Sequence, residues 1–326
     1  MAILVVGGAG YIGSHAARAL RQQGYEAIIY DNLSRGHAFL ADGFELITAD
    51  IMDQHRLAQV MRRVDAVMHF AAHSQVGESV QKPRMYFQNN AEAGVALLNA
   101  ALDTGVRRFI FSSTCAVYGM PEKMPITEDT PRQPVNPYGT SKLFFENALE
   151  AYDRAYGLRY VSLRYFNAAG ADESGEIGEL HDPETHLIPA ALKAVTGEAP
   201  ELELFGSDYS TPDGTCVRDY IHVNDLADAH VRALKHIEAG NSSAALNLGT
   251  GVGCSVKQVI AMIEEVTGSK VPRRTGPRRP GDPPTLVADP SRAQAVLQWK
   301  ATRSLREIVQ TAWNWEQNGR QKARKV

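Results

Sequence analysis

Residues 3–13, Ile3-Leu4-Val5-Val6-Gly7-Gly8-Ala9-Gly10-Tyr11-Ile12-Gly13, decide the fold. Four apolar, largely β-branched residues run straight into a glycine cluster. Ser14 to Gln23 then continues with helical composition and is closed by Gly24 as a C′ glycine. Glycines at this spacing, GxxGxxG with one extra, suit a tight strand-to-helix turn that needs positive φ and let a pyrophosphate approach bare backbone. The helix N-terminus then offers free N–H groups and the positive end of its dipole to the anion. The next strand, Ala27 to Tyr30, leads to Asp31, whose carboxylate suits a ribose 2′-hydroxyl and would repel a 2′-phosphate. NAD is therefore expected rather than NADP.

Further strands are expected at Phe44 to Thr48, Val64 to Phe70, Arg108 to Ser112 and Tyr160 to Tyr165. Helical segments lie between them, Asn90 to Thr104 being the clearest, with Gly105 behind it. Apolar strands such as ILVV and AIIY, alternating with helices, imply parallel pairing and helical crossovers. The expected fold is α/β, a doubly wound parallel sheet of Rossmann type, with a smaller mixed α/β domain. Texture changes after about Asn167, where Gly, Pro, acidic residues and His become common. Ile188 to Val195 reads as a helix and Leu202 to Phe205 as a strand. Asp219 to His236 reads as strand-turn-helix and Ala245 to Leu248 as a strand, both returning to the first sheet. Pro272 to Pro284 reads as a loop, Leu305 to Asn318 as a helix, and Arg320 to Val326 as a frayed basic tail. The expected division is residues 1–167 plus about 219–250 for the dinucleotide, and about 168–218 plus 251–326 for the substrate.

Composition narrows the function classes. The chain has 326 residues, which at roughly 150 per domain suggests two domains. Its formal charge of −3 argues against a phosphate-coating nucleic-acid binder. No apolar run approaches the roughly 20 residues that span a bilayer, and the N-terminus does not read as a signal peptide. Three cysteines, odd in number and far apart, argue against a disulfide framework and for a cytoplasmic setting.

Tyr138-Gly139-Thr140-Ser141-Lys142 places a phenol and an ammonium one helical turn apart on one face. A neighbouring cation favours phenolate, so the Tyr138 pKa is expected to fall from about 10 towards neutrality. Such a tyrosine serves as base at an alcohol and acid at a carbonyl. The pattern is common by chance; its value lies in following a nucleotide-binding sheet and the cluster Ser112-Ser113-Thr114 at a strand end. Ligands bind at that carboxyl edge of a parallel sheet, and Thr114 could donate to the reacting oxygen.

Glycine loop, Asp31, Ser-Ser-Thr and Tyr-x-x-x-Lys, in this order, resemble the extended short-chain dehydrogenase/reductase superfamily. The strings Val76-Gly77-Glu78-Ser79-Val80, Leu163-Arg164-Tyr165-Phe166-Asn167, residues 213–223 (DGTCVRDYIHV) and Arg278-Arg279-Pro280-Gly281-Asp282 narrow the resemblance to the UDP-glucose (UDP-galactose) 4-epimerases, over nearly the whole chain. The resemblance implies Tyr138, Lys142 and Thr114 as catalytic residues. It implies NAD contacts at Gly7, Gly10, Tyr11, Ile12, Gly13, Asp31, Asn32, Asp50, Ile51, Phe70, Ala71, Ala72 and Asn89, besides Tyr138, Lys142 and Tyr165. Around a UDP-sugar it implies Thr114, Asn167, His186, Leu187, Phe205, Arg218, Arg279, Asp282 and Leu286. Guanidinium forks also suit a diphosphate on chemical grounds.

Three positions depart from the family pattern. Ser74 stands where well-known members carry a lysine, and His186 where they carry an asparagine. Leu286 stands where strict galactose-type enzymes often carry a tyrosine, so N-acetyl sugars are open as substrates, as are pentose versions. No metal is expected: His181, Asp182, Glu184 and His186 have the spacing of no standard site. A 4,6-dehydratase carries Asp-Glu after the hydroxyl residue, where this chain has Cys115 and Ala116. A non-catalytic NAD-binding regulator commonly loses the Tyr or the Lys, and this chain keeps both. A homodimer, formed by helices of the first domain, is also implied.

Overall fold

The computed structural model describes residues 1–279 and 281–319. The first half winds β1 (Ala2–Val6), α1 (Tyr11–Gln22), β2 (Glu26–Asp31), β3 (Glu45–Thr48), α2 (Gln54–Met61) and β4 (Ala66–His69). Two short helices, α3 (Val76–Gln81) and α4 (Pro83–Tyr86), and a π-helical turn over Phe87–Glu92 lead into α5 (Ala93–Asp103). Then come β5 (Arg108–Thr114), α6 (Pro137–Tyr156), β6 (Arg159–Tyr165) and β7 (Asn167–Ala169). The second half holds α7 (Leu187–Thr196), β8 (Leu202–Phe205), β9 (Val217–His222), α8 (Val223–Glu238), β10 (Ala244–Leu248), β11 (Gly253–Ser255) and α9 (Val256–Thr267). It closes with β12 (Arg273–Gly276), β13 (Thr285–Leu286), α10 (Ser291–Leu297) and α11 (Leu305–Asn314).

Seven strands form one sheet in the order β10-β6-β5-β4-β1-β2-β3, with every pairing parallel. The strand order reverses direction between β1 and β4, which opens a crevice at their carboxyl ends. Alternate residues of β1 and β2 serve two cores. Ile3, Val5 and Ile29 face one helical layer, while Leu4, Val6, Ile28 and Tyr30 face the other. That two-sided burial explains the uninterrupted apolar strands. Among the described residues the three cysteines are free, and no helix is long and apolar enough to cross a membrane.

The structure differs from the sequence reading in three places. β10 does return to the first sheet, beside β6, but β9 does not. Instead β9 joins a second sheet with β7, β11 and β13. Buried Asp219 fixes that position, accepting from the Thr250, Gly251 and Ala288 N–H groups at 2.8, 3.0 and 3.2 Å. The stretch expected as a loop from Pro272 to Pro284 contains β12, paired with β8 in a parallel two-stranded sheet. The helix expected from Asn90 starts as a π-helical turn before becoming α-helical. The predicted frayed tail, Arg320 to Val326, lies outside the described residues.

Candidate active site

The loop after β1 has the shape a dinucleotide pyrophosphate requires. Gly7 has φ +81°, and a Cβ there would sit 2.4 Å from the Ala71 nitrogen; one on Gly13 would sit 2.3 Å from the Gly7 carbonyl oxygen. α1 begins at Tyr11 with Gly10 at its N-cap and no side-chain cap, leaving that helix end to an anion. Ile12 follows within the first turn. The Tyr11 hydroxyl donates to the Gly170 carbonyl at 2.6 Å, so this residue ties the two halves together through its side chain.

Asp31, buried at the end of β2, accepts from the Ala9 N–H at 3.0 Å and the Leu33 N–H at 2.8 Å. Burial raises its carboxyl pKa, and these two donors oppose the rise. Asn32 donates to Asp50 at 2.8 Å, and Ile51 is buried in the core beside Tyr30. The Phe70 and Ala71 N–H groups share the Val6 carbonyl at 2.7 and 3.0 Å, which brings the loop after β4 over the glycine loop. Ala72 continues that loop, and Ser74 is exposed. Asn89 donates to the Asn90 side chain at 2.9 Å, and Asn90 in turn holds both backbone groups of His73.

The proton-transfer groups meet where β5 ends and α6 begins. Asn136 caps α6 by accepting from the Gly139 N–H at 2.8 Å, and Pro137 occupies its first position. This start places Tyr138 close enough to Thr114 for that hydroxyl to favour the phenolate. One turn on, Lys142 is buried, and its Nζ donates to the Ser112 carbonyl at 2.9 Å while lying 4.8 Å over the Phe111 ring. Tyr165, opposite Thr114 in the β5–β6 register, exchanges a 2.5 Å hydrogen bond with the Ser112 hydroxyl.

The electrostatics correct one expectation. The Tyr138 phenol is not lowered in this structure. Burial raises it well above its ordinary value, nearby Tyr165 adds to the rise, and the Thr114 hydroxyl only partly opposes it. Lys142 gives no rescue because burial pulls it down to about 7, with Glu146 opposing. A cation next to the phenol has to come from elsewhere in the working site.

Glu146 was not singled out from the sequence, although Tyr138, Lys142 and Glu146 follow at i, i+4 and i+8. Its buried carboxylate accepts from Arg164 Nε at 2.9 Å and Nη2 at 2.6 Å, and from the Ser113 hydroxyl at 2.6 Å. This bidentate pair clamps α6 to β5 and β6, and so sets the height of Tyr138 and Lys142 above the sheet.

The residues implied for a nucleotide sugar gather on the second sheet and around α7. Asn167 opens β7 opposite Tyr220 of β9. Arg218 lies on β9 between Cys254 and Leu286, and its Nη2 donates to Asp282 at 2.5 Å. The Arg279 guanidinium stacks 3.9 Å over the Phe205 ring. Leu286 and Cys115 pack on the same small cluster of Val117, Tyr118, Ile126, Phe166 and Ala288, which brings Leu286 beside the loop that follows Thr114. Leu187 begins α7, and His186 stands at its N-cap.

The acidic and histidine run condenses differently from its sequence order. Glu179, missed in the sequence reading, joins His181, Glu184 and His186, while Asp182 does not. The His186 Nδ1 lies 2.8 Å from Glu179 and 3.1 Å from Glu184; the His181 Nδ1 lies 3.1 Å from Glu179. Burial pulls the His186 imidazole down, but the two carboxylates outweigh it and raise it to about 10. Burial likewise pushes the Glu179 carboxyl up, and the two histidines more than reverse this.

Comparison with known proteins bears on the family and the fold. The NAD dependent epimerase/dehydratase family matches residues 3–249. The UDP-glucose 4-epimerase of Rhizobium meliloti (strain 1021) is 51% identical over 317 residues, covering 96% of each chain. The crystal structure of UDP-glucose 4-epimerase from Brucella ovis in complex with NAD is similar at a TM-score of 0.94 and 49% identity, over 98% of both chains. That of the Bifidobacterium longum enzyme in complex with NAD+ and UDP is similar at 0.93 and 39% identity, over 98% of this chain and 100% of the other.

Proposed function

Because the chain belongs to the NAD-dependent epimerase/dehydratase family, we propose that it interconverts UDP-galactose and UDP-glucose by inverting the sugar C4. The observation that carries this reading is the convergence of Thr114, Tyr138 and Lys142 at the carboxyl edge of the first sheet, with the Arg218 and Arg279 guanidiniums on the second half. The bare cradle of Gly7 and Gly13 and the carboxylate of Asp31 fit NAD. When bound, NAD supplies a reversible hydride acceptor and, in its oxidised form, a positive charge that can lower the Tyr138 phenol. Tyr138 takes the proton from the sugar O4 and returns it after the sugar has turned. Thr114 hydrogen-bonds the same oxygen. Lys142, anchored at Ser112, holds the cofactor ribose, and the charge that makes the phenol acidic is the cofactor's. Arg218 and Arg279 tether the diphosphate, so that the sugar itself is held loosely enough to rotate.

Residues 1–167 with about 219–250 carry the cofactor in this reading, and the remainder carries the UDP-sugar. Free cysteines suit a reducing, cytoplasmic setting. The exposed rings of Phe87 and Phe144 border a cleft of about 490 Å³ between the π-helical turn and α6, an apolar face suited to the same helices of a second copy. Light scattering on the protein and on Phe144→Glu tests the homodimer: a dimer that dissociates in the variant supports it, and a monomeric parent protein overturns it.

The function is tested by incubating purified protein, without added cofactor, with UDP-galactose, UDP-N-acetylgalactosamine, UDP-xylose and UDP-glucuronate. Conversion of UDP-galactose to UDP-glucose supports the reading. Conversion of the N-acetyl sugar alone favours the second reading, which Leu286 in place of a larger ring would allow. No conversion of any of the four, with NAD bound, overturns it.

A further inference from the structure

A buried relay of hydrogen bonds runs from the helix of Tyr138 to the segment of Leu286. It begins at Glu146 of α6, whose Oε2 accepts from Arg164 Nη2 at 2.6 Å. Arg164 Nη1 donates to the Tyr118 hydroxyl at 2.8 Å, and that hydroxyl donates to Asn247 Oδ1 at 2.7 Å. Asn247, in β10, carries the relay on, its Nδ2 donating to the Ile126 carbonyl at 2.9 Å. The Ile126 N–H in turn donates to the carbonyl of Val287, the residue after Leu286, at 2.8 Å. A further bond, from the Asn247 N–H to Glu128 at 2.8 Å, holds the same stretch from its other side.

The relay runs in one direction only. A guanidinium donates and never accepts, so the Tyr118 oxygen accepts from Arg164 and gives its single proton to Asn247. That fixes the amide, with Oδ1 towards Tyr118 and Nδ2 towards Ile126. Glu146, Arg164, Tyr118 and Asn247 are all at most 3% exposed, which leaves water no access to replace these bonds. Tyr118 is the junction in space as well. It ends the turn that follows Thr114, its ring lies 5.2 Å from the Arg164 guanidinium, and it packs in one apolar cluster with Leu286.

Inversion at C4 puts a particular demand on such a joint. One acid/base must meet the sugar oxygen both before and after the sugar turns. A loosely held sugar cannot set the distance between Tyr138 and the wall it turns against, so the protein must. We propose that Tyr118 is a positioning residue whose hydroxyl joins the Glu146–Arg164 clamp on α6 to the Leu286 segment, and so sets the width of the sugar pocket between Tyr138 and Leu286. This rests on the nucleotide-sugar reading above and adds a residue to which that reading gives no role. Tyr118→Phe retains the ring and deletes the joint. Arg164 Nη1 and Asn247 Oδ1 are then buried without this partner, and the Leu286 segment relaxes away from α6 to relieve them.

The test is steady-state kinetics of the full-length, NAD-bound protein with UDP-galactose and UDP-N-acetylgalactosamine. In Tyr118→Phe the ratio of the two kcat/KM values should shift about five- to tenfold towards the larger N-acetyl sugar, the scale of one buried hydrogen bond. Most of the loss on UDP-galactose should fall in kcat, because the diphosphate contacts that dominate binding lie elsewhere. Asn247→Leu breaks the next link and should shift the ratio the same way, which keeps the test open if Tyr118→Phe fails to fold. Leu286→Ala separates positioning from general destabilisation. With the wall already cut back, Tyr118→Phe should no longer move the ratio, whereas destabilisation would lower both sugars alike in either background. Calorimetric UDP affinity should stay near the parent value in every variant; a marked loss in Tyr118→Phe would group Tyr118 with the diphosphate contacts and overturn the inference. An unchanged ratio in Tyr118→Phe and Asn247→Leu, or an equal shift with and without Leu286, overturns this inference only. A parent protein that converts neither sugar overturns the nucleotide-sugar reading with it.

Discussion

Lys142 is held by the strand beneath it: its Nζ donates to the Ser112 carbonyl at 2.9 Å, inside a site that burial makes hostile to its charge. The anchor keeps the ammonium within one helical turn of Tyr138 and out of solvent. Replacing Lys142 with Met keeps the apolar stem over Phe111 but removes the donor. Turnover should fall by roughly 10²-fold or more, with weaker retention of NAD, while the circular dichroism spectrum stays unchanged. Turnover within a few-fold of the parent would remove Lys142 from the mechanism.

Tyr138→Phe removes the only proton-transfer group in contact with Thr114 that this reading uses. The expected loss in kcat is roughly 10²–10⁴-fold, with UDP binding by calorimetry near normal because the diphosphate contacts lie elsewhere. Near-normal turnover in this variant would refute the assignment of the acid/base.

Asp31 discriminates between dinucleotides. Asp31→Asn keeps much of its shape but removes the charge that repels a 2′-phosphate. NAD affinity, read by fluorescence titration, should drop about tenfold or more, and NADP should bind measurably better than to the parent. An unchanged NAD-to-NADP ratio would place the ribose elsewhere.

Glu146 and Arg164 form a buried pair with side chains 2% and 3% exposed. Removing one partner leaves the other charge uncompensated, so Glu146→Ala should cost about 3–5 kcal/mol in urea unfolding. A double replacement, Glu146→Leu with Arg164→Met, should recover much of that loss. A single variant as stable as the parent would show that the clamp contributes nothing to stability.

Four buried histidines make stability depend on pH. Burial lowers His69 to about 3 and His15, His222 and His230 to about 4. Below about 6.5 the unfolded chain takes up protons that the folded chain refuses. Their contribution is therefore complete above pH 6.5 and is lost as pH falls towards 4, at about 1.4 kcal/mol per pH unit for each group. The urea midpoint should drop between pH 7 and pH 5. His230→Leu, which removes a ring lying 4.7 Å from Phe70, should flatten that drop; an identical slope would exclude His230 as a contributor.

What was legible in the sequence is what neighbouring residues determine among themselves. The run from Ile3 to Gly13 carries a strand, a turn that only glycine tolerates and a helix start, each decided by local sterics and hydrogen bonding. Asp31 at a strand end and Tyr138 and Lys142 at helical spacing follow from periodicity alone. Long-range pairing was not legible. β9 looked like another strand of the first sheet, but it pairs with β7, β11 and β13, strands drawn from three separate stretches of the chain. Arg218 and Asp282 meet across 64 residues of chain, and Glu146 and Arg164 across 18. Glu179 joins His186 because a loop folds back over the glycine turn, not because of their spacing. Protonation belongs to the same class. Spacing beside a lysine suggested a lowered tyrosine, whereas desolvation of both side chains by the whole fold raises Tyr138 and lowers Lys142. Conformation along the chain depends on adjacent residues; burial, and the energies of charges within it, depend on every element packed around the site.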